Sequence, residues 1–266
     1  MNKNKNYIGV FDSGLGGLTV VDGLTDAMPN ENIIYFGDTA HMPYGTKTKE
    51  QITEYVLKNM EFLTSFDVKA IVIACNTADS IVREKLTTIY TMPIFGVVAP
   101  AAKQAVEATK NGKIGVMATN AVINSGTYQR EINKLNDSIS VTNVACPKLV
   151  PLIEQGHFMR DDESAVRALG EYLKEIKENG VDTLILGCTH YPLLWETISD
   201  MLPEVTLISS SAAVANVAKE KLEKLGKTNS EHGKSEKRFF VSKDPESFYK
   251  NAKMILGDKL DKIELA

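Results

Sequence analysis

Two cysteines stand where a chain does chemistry more often than packing. Cys75 lies in the run Lys69-Ala-Ile-Val-Ile-Ala-Cys-Asn-Thr-Ala78, and Cys188 in Asp182-Thr-Leu-Ile-Leu-Gly-Cys-Thr-His-Tyr-Pro192. Each apolar run reads as a buried parallel strand that stops at the thiol and gives way to small polar residues and a helical pattern. In open α/β folds, ligands bind in the crevice beyond the carboxyl ends of the strands. A helix start also favours thiolate over thiol, so both sulfurs are expected to have lowered pKa values and to serve as bases or nucleophiles. The third cysteine, Cys146, lacks that setting and reads as a small core residue.

A matched pair of thiols admits three chemistries. A zinc site would enlist Cys75, Cys188, His190 and His41, but the spacings typical of structural zinc are missing and no metal is expected. A redox disulfide would need Cα atoms within about 7 Å and lacks the usual C-x-x-C signal. The third is proton transfer: one thiolate takes a proton from a carbon held between the two strand exits, and the opposite thiol returns one to the other face. A proton α to a carboxylate is very weakly acidic, so such a site must supply preorganised donors and exclude water. The helix starts near Asp12-Ser13, Asn76-Thr77 and Thr189-His190 are suited to that task. No lysine has a pyridoxal-phosphate setting and no dinucleotide fingerprint occurs, so no cofactor is expected. A non-catalytic amino-acid-binding protein remains open beside these enzymes.

The elements that must carry these residues alternate strand and helix. Strands are expected at Tyr7–Phe11, Asn32–Phe36, the Cys75 run, Met92–Gly96, Lys113–Met117, Ile139–Val144, the Cys188 run, Val205–Ile208 and Arg238–Val241. Helices are expected over 18–27, 49–65, 76–88, up to 109, 125–134, 162–179, 193–201, 212–225 and 245–256. The alternation predicts an α/β fold with largely parallel sheets flanked by helices. Asp12-Ser-Gly-Leu-Gly-Gly17 is a tight turn into a helix, though its spacing is not that of a phosphate loop. Gly37-Asp-Thr-Ala-His-Met-Pro-Tyr-Gly45 is a loop at a strand exit and a candidate binding wall. The polar segment Gly226–Lys237 reads as a mobile loop.

The pattern repeats. Ile114-Gly-Val116 follows Ile8-Gly-Val10 at an offset of 106 residues, and Cys188 follows Cys75 at 113. Offsets this close suggest a duplication into two similar α/β domains related by a pseudo-twofold axis, each giving one thiol to a site between them.

Composition narrows the ligand. The 266 residues are 43% hydrophobic, enough for a sizeable core, and the net charge of −4 is spread over 30 basic and 34 acidic residues. Neither nucleic acid nor a membrane surface is expected as a partner; a small molecule is. The polar start Met1–Asn6 and the lack of a run of ~20 apolar residues predict a cytoplasmic protein.

Phe11-Asp-Ser-Gly-Leu-Gly-Gly-Leu-Thr19, Tyr35-Phe-Gly-Asp-Thr-Ala40, Pro43-Tyr-Gly45, Ala74-Cys-Asn-Thr-Ala78, Val150-Pro-Leu-Ile-Glu154 and Leu186-Gly-Cys-Thr-His-Tyr-Pro-Leu-Leu194 follow in order over nearly the whole chain. In this set the sequence resembles the glutamate racemases. The resemblance implies cofactor-independent 1,1-proton transfer between L- and D-glutamate, the latter feeding bacterial peptidoglycan. It implies a first domain of residues 1–98 plus 210–266 and a second of 99–209, the chain crossing near Val98 and Ser209. By that likeness Cys75 and Cys188 are the acid/base thiols, Asp12 assists Cys75, and Glu154 and His190 assist Cys188. Substrate contacts carried over are Asp12, Ser13, Tyr44, Gly45, Asn76, Thr77, Thr119, Thr189 and His190. A homodimer is expected.

The chain departs from that pattern at four places. His41 stands where these enzymes usually carry Arg, Asp79 replaces a small residue, Val122 replaces a second threonine, and Ser209-Ser-Ser211 lacks the usual Asp-Ser. An aspartate racemase, or one of broader scope, is the nearest enzymatic alternative.

Overall fold

The computed structural model describes residues 6–229 and 235–266. Its strands, in chain order, are β1 (Tyr7–Asp12), β2 (Ile33–Gly37), β3 (Val68–Ile73), β4 (Ile94–Gly96), β5 (Lys113–Ala118), β6 (Ser140–Ala145), β7 (Thr183–Gly187), β8 (Thr206–Ser209), β9 (Lys237–Val241) and β10 (Glu264–Leu265). The helices are α1 (Gly17–Ala27), α2 (Lys49–Thr64), α3 (Asn76–Ile89), α4 (Val98–Ala108), α5 (Asn120–Ser125), α6 (Thr127–Leu135), α7 (Leu149–Glu154), α8 (Glu163–Glu178), α9 (Trp195–Met201), α10 (Ser210–Lys224) and α11 (Pro245–Leu256).

The strands form two sheets with every pairing parallel: one in the order β10-β9-β2-β1-β3-β4, the other β6-β5-β7-β8. The first four strands of each half therefore share one order, second-first-third-fourth, as the sequence repeat predicts. The repeated Ile-Gly-Val has a packing cause. A Cβ on Gly9 would come within 2.7 Å of Ile71 Cδ1, and one on Gly115 within 2.8 Å of Ile176 Cδ1, so in both halves a bulky side chain fills the space over the first strand.

Parallel strands are covered on both faces, which is why they read as continuous Val, Ile and Leu. On the first sheet Ile8, Val10 and Val72 pack with Leu18 and Val21 of α1, in a cluster that continues into the second half. Phe11, Ile34, Ile71 and Ile73 face the other way onto Ile52 and Val56 of α2 and Val82 of α3. Truncating one of these fully buried residues to Ala typically costs about 2–5 kcal/mol.

Several expectations need correction. The helix expected over 125–134 is α6, but a short helix not expected precedes it: Thr119 caps α5 by accepting the Val122 N–H at 3.3 Å, and Gly126, at φ +63°, separates it from α6. The segment after Cys146 holds α7, whose Pro151 is tolerated because it falls in the first turn. The helix read from Leu193 begins as a 3-10 turn, Tyr191–Leu194, before α9. Strand β10 has too short a sequence signature to be read. The reading of 226–237 as mobile falls partly on 230–234, outside the described residues; its flanks are held, Asn229 N–H by Glu31 Oε1 at 2.8 Å and Glu236 N–H by Asn32 Oδ1 at 2.8 Å.

Candidate active site

Strand β3 ends one residue before Ala74-Cys75, and Cys75 is the N-cap of α3. Strand β7 ends at Gly187, immediately before Cys188. The two strands belong to different sheets, yet both thiols line one cavity of about 80 Å³. A water needs ~10–15 Å³ by this measure, so the space has room for several waters or a small molecule. Ser13, Tyr44, Gly45, Asn76, Thr77, Thr119, Thr189 and His190 share the lining. Asp12 and Glu154 lie behind it, each touching a residue that lines it.

The surroundings of the two thiols differ. Cys75 Sγ donates to Ser13 Oγ at 3.9 Å. Burial pushes the Cys75 thiol up, and the charge of Asp12 adds to the effect. The expectation that its helix start lowers its pKa is thus overturned: desolvation outweighs the helix. Cys188 Sγ instead stands 3.6 Å from His190 Nδ1, whose Nε2 lies 2.6 Å from Glu154 Oε1. Burial alone would depress His190, but the hydrogen bonds and charges of Cys188 and Glu154 outweigh it and hold the imidazole well above its ordinary value. An imidazole with a raised pKa therefore sits beside one thiol, and a buried carboxyl near the other.

Asp12 is fully buried, and burial pushes its carboxyl up against the pull of His190, the Gly14 N–H and Thr189. Its Oδ1 accepts from Gly14 N at 2.9 Å and its Oδ2 from Thr189 Oγ1 at 3.1 Å, so it ties the end of β1 to the exit of β7. Glu154 Oε1 accepts from Leu15 N at 2.8 Å as well as facing His190, bringing α7 onto the turn before α1. The glycines of that turn are there for close approach. A Cβ on Gly16 would lie 2.4 Å from His190 Nδ1 and 2.5 Å from Thr189 Oγ1. Gly16→Ala is expected to cost about 1–3 kcal/mol, the range for forcing volume into a packed interior, read as a lower urea midpoint.

Other predicted contacts have their polar atoms engaged within the protein. Tyr44 OH donates to Asp38 Oδ2 at 2.6 Å and accepts from Asn59 Nδ2 at 3.0 Å, so its hydroxyl is held by partners within the protein. Asn76 Oδ1 accepts from Tyr128 OH and Nδ2 donates to Ser210 Oγ, leaving its backbone N–H at the start of α3 for a ligand. Thr77 Oγ1 and Thr119 Oγ1 meet at 3.1 Å across the halves.

The departures from the resemblance also find places. His41 stacks on Tyr55 at 3.9 Å and bonds Asp38 at 2.8 Å, and it does not line the cavity. Asp79 accepts the Val98 N–H at 2.8 Å at the start of α4, its carboxyl pushed up to about 6 by burial. Ser209 caps α10, Ser211 Oγ meets Thr19 Oγ1 at 2.6 Å, and Val122 is buried. Sequence reasoning passed over Asn120, Cys146, Pro147, Val150 and Pro151, which also line the cavity. The repeat holds the signal for them: β6 matches β2 in sheet order, so the Cys146-Pro147 exit matches the Gly37-Asp38 loop. Cys146 is fully buried at the wall, with Sγ 3.4 Å from the Val144 carbonyl. Among the described residues no group of three or more His, Cys, Asp or Glu is arranged to hold a metal.

Two parallel sheets that each present a thiol to one cavity define an α/β enzyme architecture with its candidate site at paired strand exits. A family profile described as Asp/Glu/Hydantoin racemase matches residues 14–218. The chain is 42% identical to the glutamate racemase of Geobacter metallireducens over 95% of its own length and 93% of that protein. Among solved structures, a glutamate racemase isoform of Bacillus anthracis matches with a TM-score of 0.92 at 35% identity, covering 99% of this chain and 97% of that one. The glutamate racemase of Francisella tularensis in complex with D-glutamate matches at 0.91 and 35%, covering 99% and 98%. The chain belongs to the Asp/Glu/Hydantoin racemase family. Its enzyme class is amino-acid racemase, an isomerase.

Proposed function

We propose that the protein interconverts L- and D-glutamate by 1,1-proton transfer without a cofactor, Cys75 and Cys188 being the two acid/base groups. The observation that carries this reading is the meeting of two thiols, from exits of different sheets, in one cavity. One thiolate removes the α-proton, the carbanionic intermediate is held by donors at the helix starts, and the other thiol protonates the opposite face. Backbone N–H groups at the start of α3, with Thr77, Thr119 and Thr189, bind the carboxylates; Ser13 and Gly45 complete the wall. His190 faces Cys188 at hydrogen-bond distance, and Glu154 holds the imidazole's pKa up.

Burial favours the protonated form of Cys75, which suits it to act first as acid. A substrate ammonium near Asp12 offsets the carboxylate charge that raises this thiol, so substrate binding eases its ionisation for the reverse reaction. On the same reading the enzyme works in the cytoplasm as a homodimer and supplies D-glutamate for peptidoglycan. Residues 1–98 with 210–266 form one domain, and 99–209 the other. Among the described residues no helix is long and apolar enough to cross a membrane.

Incubation with L-glutamate in heavy water, with no added cofactor, is expected to yield D-glutamate carrying deuterium at Cα. The proton spectrum and chiral chromatography follow it. Absence of both exchange and enantiomer formation with glutamate sinks the proposal, and activity confined to aspartate moves it to that substrate.

A further inference from the structure

Tyr128 touches both strand exits that carry the thiols. Its hydroxyl donates to Asn76 Oδ1 at 2.7 Å, on the residue after Cys75. Its ring lies against Gly187, the residue before Cys188: a Cβ built there would come within 3.0 Å of Tyr128 Cε2 and of the Met117 carbonyl. The Asn76 amide is held from its other end too. Its Nδ2 donates to Ser210 Oγ at 3.1 Å, and Ser210 donates to the Leu186 carbonyl at 3.2 Å, two residues before Cys188. Ring contact and hydrogen-bond chain close a loop between the start of α3 and the end of β7. Tyr128 is 2% exposed, and neither it nor Ser210 lines the cavity.

We propose that Tyr128, with Ser210, is a positioning residue that fixes the spacing of Cys75 from Cys188; the inference rests on the two-thiol reading above. Strands β3 and β7 share no backbone pairing, so side-chain contacts between the halves must set that spacing. Thr77 to Thr119 and Asp12 to Thr189 join residues already assigned to the site, while Leu15 to Glu154 and Thr19 to the Thr189 carbonyl tie the turn before α1 to the second half and touch neither Cys75 nor its helix. Tyr128 works from behind the wall. Transfer across one carbon needs both sulfurs within hydrogen-bond reach of it, and a displacement of ~1 Å in such a geometry costs roughly 100-fold.

Tyr128→Phe keeps the ring on Gly187 and removes the hydroxyl's bonds to Asn76 and Ser210; Ser210→Ala cuts the other arm. Each is expected to lower kcat roughly 10- to 100-fold with KM within about threefold, because no substrate contact is lost. In heavy water the variants are also expected to raise the deuterium in the recovered starting enantiomer relative to that in its mirror image. A carbanion that meets a misplaced second thiol is reprotonated on the face it left. A purely structural role lowers both labels together and leaves their ratio at the wild-type value. That result, or wild-type kcat in either folded variant, overturns the proposal; thermal melts identify a variant that has not folded, and the other then decides. If the wild type itself exchanges no proton, the racemase reading fails instead, so the two failures are told apart by the unmutated enzyme.

Discussion

Cys75→Ser and Cys188→Ser are each expected to cut racemisation roughly 10²- to 10⁴-fold, the span that a general acid or base contributes. Serine keeps the shape and the local hydrogen bond, to Ser13 Oγ at position 75 and to His190 Nδ1 at 188. What it loses is a proton acidic enough to leave. Burial already pushes the Cys75 thiol up, so a hydroxyl in the same place has no route to the basic form. The residual chemistry is predicted to be one-sided: each variant still exchanges the α-proton of the enantiomer that faces its surviving thiol, and the two variants favour opposite enantiomers. Loss of the Cα–H signal in heavy water, followed for each enantiomer separately, reads this directly. Wild-type turnover in either variant ends the two-thiol reading. Residual exchange of the same enantiomer by both ends the assignment of opposite faces.

The thiols were legible because a parallel strand covered on both faces is a run of Val, Ile and Leu, and the residue that breaks the run is the residue at the strand exit. The repeat was legible for the same kind of reason, since Gly9 and Gly115 each leave space that a neighbouring isoleucine fills. Glu154 was not legible from its spacing. Its place depends on α7, a turn and a half with a proline in its first turn, and on a contact with Leu15 across 139 residues of chain. The ionisation of Cys75 was misread because a helix start is visible in sequence and desolvation is not. Tyr128 went unnoticed because an aromatic at helical spacing looks like core, and it is core; only the hydroxyl's partner and the bare Cα of Gly187 set it apart.

Glu154→Gln is expected to have the second-largest effect and a distinctive pH dependence. One carboxylate oxygen, Oε1, serves both the Leu15 N–H at 2.8 Å and His190 Nε2 at 2.6 Å. Glutamine can present an oxygen to both, so the turn stays in place while the charge is lost. Burial, which opposes the charged imidazole, is then countered by Cys188 and the more distant Asp12, and the pKa of His190 falls. Turnover at neutral pH should drop roughly 10- to 100-fold, and the alkaline limb of the pH–rate profile should move to lower pH, with partial recovery on acidification. Stability follows the same sign. A histidine raised in the folded state contributes stability that is full below its unfolded value of about 6.5 and is lost as pH rises through the folded value. The variant's deficit in urea midpoint is therefore wider at acid than at alkaline pH. Its ceiling is the ~3–5 kcal/mol of a broken buried pair, reduced because the imidazole can shed its proton. An unmoved alkaline limb, with activity simply scaled down, would mean that Glu154 holds the turn and does not set the charge beside Cys188.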